Sequence, residues 1–396
     1  MSAFWSTIRW IKKRKVTVLL FVFSFIVSGL IINLLELMTL PLYFLNKKLF
    51  RQINSRIVYF HWCIIPWALE SWAEYDIRVF AKEGLFETFA NQEHALCILN
   101  HRGDLDWMIG WVFIERSGML GGTKAIMKDI AKFLPGIGWT FMFMEYPFLK
   151  RDWNKDEKRL AQSCKNLSDY PVNMLLCLFA EGTRFTPEKH KASMEFARSR
   201  GLPVLKHHLT PRTKGFNFIM NHMEGVFPCI YDVTICYRNN QEPTLMGVVN
   251  AEPCSADMMV RRYPITDIDT SSEEAMSQWL INLFKDKDDL VEHYQKHGSF
   301  PEKQVNMPKR PYTDLVVMMW LAMVGVPALL SGLYLAWVGN WLVLAIIVAA
   351  VVLADRLFQM IAHQTDTAKS SSSYGLSSKK KSTQEATPTQ EDKKEQ

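Results

Sequence analysis

The sequence predicts an α/β domain held at a membrane by apolar helices on both sides of it. Three observations carry that reading. Apolar residues are segregated into two long blocks; the chain between them alternates short apolar runs with helix-period stretches; and polar clusters follow those runs, where an α/β sheet presents its ligands. The averages hide this pattern. With 396 residues, 48% hydrophobic, 22% charged and a net charge of +6, they exclude only collagenous, fully disordered and disulfide-scaffold chains.

The first apolar block, residues 16–45, carries Glu36 as its only charge. About 20 apolar residues cross a bilayer as a helix, so the block is long enough. Arg9, Lys12, Lys13, Arg14 and Lys15 precede it and place the N-terminus on the cytoplasmic side. A cleaved signal peptide is the bland alternative. It fits poorly, because the stretch exceeds a signal h-region and no small-residue cleavage site follows.

The second block, residues 315–354, has no charge, is divided at Gly339-Asn340, and is flanked by Lys309-Arg310 and Asp355-Arg356. That length suits a transmembrane hairpin over 315–362 better than one tilted span. Residues 301–314 read as a linker. The tail, 363–396, with Ser371–Ser373 and Lys379–Lys381, is poor in apolar residues and is expected to be disordered. Residues 58–74 are aromatic-rich and interrupted by Pro66, either a second membrane element or an interfacial helix. Residues 1–80 are therefore read as N-terminal membrane-anchoring helices, and 81–300 as the domain that carries the chemistry. One crossing before that domain puts it in the lumen; two crossings, or a re-entrant first element, keep it cytoplasmic.

The seven cysteines are odd in number, sit mostly in apolar runs, and lack CxxC or Cys/His zinc spacing. They read as buried reduced thiols, which favours a cytoplasmic face. The sequon Asn166-Leu167-Ser168 would then go unused.

Within the central domain, residues 95–99 (ALCIL), 174–180 (MLLCLFA), 203–206 and 231–237 (YDVTICY) read as strands. The first polar cluster, Asn100-His101-Arg102-Gly103-Asp104-Leu105-Asp106-Trp107, follows ALCIL. Histidine suits proton abstraction near neutral pH, and a carboxylate on its far nitrogen fixes the tautomer. Asp106 is favoured for that part over Asp104; the bland alternative is a helix-capping Asp beside a solvated His. The second cluster, Phe179-Ala180-Glu181-Gly182-Thr183-Arg184, places a glycine where a ligand can approach backbone, and an arginine fork suited to phosphate. Lys150-Arg151, after Glu145-Tyr146-Pro147-Phe148-Leu149, offers a further anion site or a solvated charge pair.

Other candidates are weaker. Residues 118–124 (GMLGGTK) miss the phosphate-loop spacing. The adjacent His207 and His208 read as structural. The +6 charge with basic flanks suits an anionic membrane surface better than nucleic acid, and no nucleic-acid motif accompanies it.

Taken in order, NHxxxxD at Asn100–Asp106, the basic pair Lys150-Arg151, FAEGTR at Phe179–Arg184 and Leu202-Pro203-Val204 form a four-motif set. The set resembles that of the glycerolipid acyltransferases. The sequence is similar to the 1-acylglycerol-3-phosphate acyltransferases of gamma/delta type, also through Lys189-His190, Leu205-Lys206 and Pro211-Arg212-Thr213-Lys214-Gly215-Phe216. The resemblance implies an α/β acyltransferase domain with a mixed central sheet flanked by helices. It implies acyl transfer from acyl-CoA to the sn-2 hydroxyl of lysophosphatidic acid, with His101 as general base and Asp106 orienting it. Glu181, Gly182, Thr183 and Arg184 would bind the glycerol phosphate with Lys150 and Arg151, and Pro203 would line an acyl-chain or CoA wall. No cofactor or metal is implied; acyl-CoA is a co-substrate, the bilayer is the partner, and the endoplasmic reticulum membrane is the expected location, multi-pass with a cytoplasmic catalytic domain. The interior of the first motif, Arg102-Gly103-Asp104-Leu105, looks closer to lysocardiolipin acyltransferases, so another lysophospholipid acceptor stays open. A non-catalytic membrane-shaping scaffold is the alternative from another class.

Overall fold

The computed structural model describes residues 12, 15–85, 93–134, 136–150 and 152–365. Arg151, the basic residues Arg9, Lys13 and Arg14, and the tail beyond residue 365 lie outside the described residues.

The strands are β1 (Asp76–Ala81), β2 (Ala95–Leu99), β3 (Thr123–Ala125), β4 (Met127–Lys128), β5 (Phe148–Leu149), β6 (Leu175–Leu178), β7 (Cys229–Tyr237), β8 (Ser255–Pro264) and β9 (Gln304–Val305). Seven form one sheet in the order β3-β6-β2-β7-β8-β1-β9, while β4 and β5 pair separately. β3, β6, β2 and β7 run parallel, β8 is antiparallel to β7, and β9 is antiparallel to β1. The sheet is therefore mixed, and helices cover both faces. Residues alternate sides along each strand. Cys97, Leu99, Tyr231 and Val233 pack with α4 (Asp106–Arg116), while Leu96, Ile98 and Ile230 pack against the other layer. That layer holds α6 (Trp153–Leu167), α8 (Thr213–His222) and α9 (Glu273–His297). Burial on both faces is why β2 and β6 read as unbroken apolar runs rather than alternating ones.

The N-terminal helices are α1 (Lys15–Met38), α2 (Leu40–Leu45) and α3 (Lys47–Ile57). α1, at 24 residues, is long and apolar enough to cross a membrane, yet it does not stand alone. One face exposes Val16, Leu30, Leu34, Leu37 and Met38; the other buries Ser24, Ser28, Asn33 and Glu36 against the domain. Asn33 donates to Thr140 of α5 (Gly138–Phe143) at 2.6 Å, and Thr140 donates to Glu36 at 3.1 Å. The lone charge of the first apolar block thus turns inward, where its Oε2 accepts from Asn33 and Thr140 while its Oε1 has no partner among the described residues.

Residues 58–74 are neither a membrane crossing nor an interfacial helix. The turns Tyr59–Trp62 and Ile64–Trp67 and the π-helical Ala68–Trp72 form a buried layer between α1 and α4. Trp62, Cys63, Leu69 and Ala73 are fully buried, and Trp62 lies 4.9 Å from Trp111 between ring centroids. Their aromatic richness is the signature of a packed core. Moreover, the sheet begins at Asp76, inside the segment expected to be anchoring helix.

Two further expectations, the strand at 203–206 and the linker at 301–314, are corrected. Residues 203–206 form no strand; they are an extended loop after α7 (Pro187–Ser199). Pro203 has no N–H to give a ladder, and the N–H groups of Lys206 and His207 donate to Asp288, each at 2.7 Å. At the C-terminus, α10 (Pro311–Trp320), a π-helical turn and α11 (Val326–Trp337) make one candidate span, Pro311–Trp337. α12 (Trp341–Thr365) follows a turn in which Gly339 has φ +71°. Pro311–Trp337 is thus one candidate span, and the return helix of the expected hairpin is not confirmed among the described residues. The expected linker is also structured, since β9 pairs with β1 and Thr313 donates to buried Glu115 at 2.7 Å.

A Cβ added at Gly29 of α1 would lie 2.3 Å from the carbonyl oxygen of Gly136, backbone against backbone. Gly29→Ala is therefore expected to cost about 1–3 kcal/mol of stability, seen as a lower unfolding midpoint of the detergent-solubilised protein.

Candidate active site

The site forms where β2 and β7 end side by side. Asn100, the first residue beyond β2, donates through Nδ2 to the Ile235 carbonyl at 3.0 Å and accepts from the Ile235 N–H at 2.8 Å. This exchange lets the two strand ends diverge without orphaned backbone groups. It also fixes where His101 leaves the sheet.

His101 Nδ1 donates to Asp106 Oδ2 at 3.0 Å, and the Gly103 N–H donates to the same oxygen at 2.9 Å. The Tyr237 hydroxyl donates to Asp106 Oδ1. Asp106 opens α4 and is fully buried, whereas the His101 side chain is 21% exposed. With Nδ1–H committed to Asp106, Nε2 is the ring's lone-pair nitrogen. Phe179 packs against the imidazole at 4.4 Å between centroids and limits its rotation.

Asp104, the rival to Asp106, pairs with Arg184 instead. The first and third sequence motifs are thereby tied together. Lys189 Nζ donates to the Thr183 hydroxyl at 3.0 Å and to the Arg184 carbonyl at 3.3 Å, so a second cation stands beside Arg184. An arginine fork next to an ammonium is a fit for a phosphate monoester.

Two residues expected to bind substrate do other work. Glu181 is buried, and its oxygens accept from the N–H groups of His101 at 2.8 Å and Leu209 at 3.1 Å. It holds the backbone that carries His101. Burial pushes its carboxyl up to about 8, against the two N–H groups, which favour the charged form. Gly182 has φ +69° and makes the turn after β6, and a Cβ there would lie 2.9 Å from Cδ of Arg212.

Lys150 is exposed, and its N–H donates to Asp156 at 2.7 Å. Its charge acts on Asp129 with those of Lys132 and Arg159, and no described contact joins it to Arg184. Pro203 is half-buried at the head of the loop whose far end, Leu209, touches Glu181. Tyr237, Leu209, Lys189 and Arg212 were missed as site residues. Tyr237 closes the apolar strand YDVTICY, where a hydroxyl is easily read as packing. Lys189 and Arg212 lie in stretches that carried the resemblance, so a signal for them existed; Leu209 falls between two of those stretches and carried none. Among the described residues, no three His, Cys, Asp or Glu side chains cluster as metal ligands.

Over 310 residues the chain is 42% identical to 1-acyl-sn-glycerol-3-phosphate acyltransferase gamma of Homo sapiens, covering 78% of this chain and 82% of the relative. The chain belongs to the 1-acylglycerol-3-phosphate acyltransferase family, gamma/delta type. The delta protein of Bos taurus is 37% identical over 363 residues, 92% of this chain and 96% of the relative. The family model "Acyltransferase" matches residues 82–238, and "Acyltransferase C-terminus" matches 247–321. Among solved structures, the 1-acyl-sn-glycerophosphate (LPA) acyltransferase PlsC from Thermotoga maritima aligns with a TM-score of 0.43 and 16% identity, over 69% of this chain and 98% of that one. In this acyltransferase, β1, α10 and the layer at 58–74 extend the fold beyond the span that the first of the two family models covers.

The raised carboxyl of Glu181 makes stability depend on pH. Its folded value, about 8, lies above its ordinary 4.5, so the folded state holds a proton that the unfolded state has released between those values. Stability from this group is greatest below pH 4.5 and falls as pH rises to 8. In Glu181→Gln the decline of unfolding midpoint between pH 5 and pH 8 should be shallower than in the parent, measured by thermal denaturation across that range.

Proposed function

We propose that the chain transfers a fatty acyl group from acyl-CoA to the sn-2 hydroxyl of lysophosphatidic acid, giving phosphatidic acid and CoA. The observation that carries the reading is the pair of His101 and buried Asp106 beyond the ends of the interior strands β2 and β7, with Arg184 tethered to the same loop through Asp104. The names of the relatives, 1-acyl-sn-glycerol-3-phosphate acyltransferases, supply the acceptor.

In this mechanism Nε2 of His101 takes the proton of the sn-2 hydroxyl as its oxygen attacks the thioester carbonyl carbon. Asp106 stays ionised and steadies the imidazolium that forms. The tetrahedral intermediate then expels the CoA thiolate, which receives the proton from His101; a C–O bond has formed and a C–S bond has broken. Arg184 and Lys189 hold the phosphate of the acceptor, fixing the distance from phosphate to reacting hydroxyl. No nucleophilic serine or cysteine is required. The cysteines are all buried thiols, and their burial argues against covalent catalysis.

The enzyme is held in the endoplasmic reticulum membrane through α1 and Pro311–Trp337. α1 lies along the domain rather than away from it, and α2 and α3 double back beside it, which supports a re-entrant first element and a cytoplasmic catalytic domain. Protease protection of the central domain inside sealed microsomes would overturn that placement.

His101→Ala should lower acyl transfer at least about 1,000-fold while leaving the unfolding midpoint near that of the parent, measured with purified enzyme and radiolabelled acyl-CoA. A panel of lysolipids identifies the acceptor: activity on lysocardiolipin and none on lysophosphatidic acid would replace the headgroup assignment. An unchanged cellular effect of an inactive His101→Ala protein would favour a scaffold.

A further inference from the structure

We infer that Tyr237 is a positioning residue for acyl transfer, holding the carboxylate of Asp106 through its hydroxyl, and that Gly103 is the glycine that leaves room for that hydroxyl. The inference rests on the reading of His101 and Asp106 as the catalytic pair.

Asp106 is fully withdrawn from solvent, and a buried carboxylate with an unsatisfied oxygen is costly and free to turn toward another donor. Oδ2 receives His101 Nδ1 and the Gly103 N–H. Oδ1 receives the Tyr237 hydroxyl. Tyr237 is itself buried, at the last position of β7, and the clasp between Asn100 and Ile235 fixes that strand end against β2 two residues earlier. The hydroxyl is thus delivered by the sheet rather than by a loop. With donors on both oxygens the carboxylate plane is set, and so is the plane of the imidazole it orients.

Gly103 completes the arrangement. A Cβ at this position would lie 3.0 Å from the Tyr237 hydroxyl oxygen and 3.4 Å from its ring carbon Cε2, with Asp106 Oδ1 at 3.5 Å. The backbone there is not in the left-handed region, so the constraint on residue 103 is the hydroxyl and not the dihedral. Gly103 and Tyr237 form a matched pair: the small residue in the loop and the hydroxyl on the strand occupy one space.

The test uses full-length enzyme in detergent, with steady-state kinetics on lysophosphatidic acid and acyl-CoA and an unfolding midpoint for each variant. Tyr237→Phe is expected to lower kcat about 10- to 100-fold, with both KM values within about threefold of the parent, because an orienting hydrogen bond to a charged group is lost while substrate contacts remain. Gly103→Ala should lower kcat to a similar extent by displacing the hydroxyl. The double variant Gly103→Ala/Tyr237→Phe should be no slower than Tyr237→Phe alone, since the atom that the new methyl meets is gone. Additive losses in the double variant, or an unchanged kcat in Tyr237→Phe, overturn the inference. If Tyr237→Phe fails to fold, Gly103→Ala decides it, a parental kcat being the contrary result. Full activity in His101→Ala instead overturns the catalytic pair itself, a separate failure.

Discussion

A carboxylate taken out of water is the constraint on which the rest of this site depends. Asp106 sits at the first turn of α4 with no solvent contact, so each of its oxygens must find donors within the protein. His101, Gly103 and Tyr237 are those donors, and supplying them forces the loop after β2 to fold back on the helix it introduces. The imidazole is the member that still reaches solvent. Burial of the acid and exposure of the base are two consequences of one packing arrangement, and together they give a base with one nitrogen held and one available.

The same device recurs behind it. Glu181 gathers the N–H groups of His101 and Leu209, and Asp288 on α9 gathers those of Lys206 and His207 and the Nδ1 of His208. Each is a buried or half-buried acid that replaces missing ladder partners for backbone that has left the sheet. Lys287, next to Asp288, adds its ammonium to the Val233 carbonyl at 2.7 Å and to Asp232. α9 thereby braces both the strand ends and the loop beyond them. The C-terminal part of the domain thus contributes scaffold to β7 and to the loop at 206–208.

The apolar segments follow from a related balance. A helix wholly in lipid needs no polar face, but α1 keeps Ser24, Ser28, Asn33 and Glu36 along one side because that side packs on the domain. At the other end α10 is pinned by Thr313 to Glu115 and by the Trp320 indole N–H to the Phe60 carbonyl at 2.6 Å. The apolar helices and the α/β domain share one core, the layer at 58–74 lying between them. The helices and His101 are therefore held in a fixed relation, which a flexible tether would not provide.

Sequence by itself determined the α/β class, the two membrane-sized apolar blocks and the pairing of His101 with Asp106. These are legible because apolar periodicity and local motif chemistry are written in neighbouring residues. Only the tertiary structure decided that 58–74 is core, that 203–206 is a loop held by Asp288, that Asp104 serves Arg184, and that Glu181 supports backbone instead of facing a ligand. It alone brought Tyr237 to Asp106, across 131 residues of chain. The physical reason is the same in each case. Whether an aromatic run meets lipid or protein, and which donor answers a buried oxygen, depends on what the fold places opposite it, and the sheet order that sets those neighbours is not a local property of the chain.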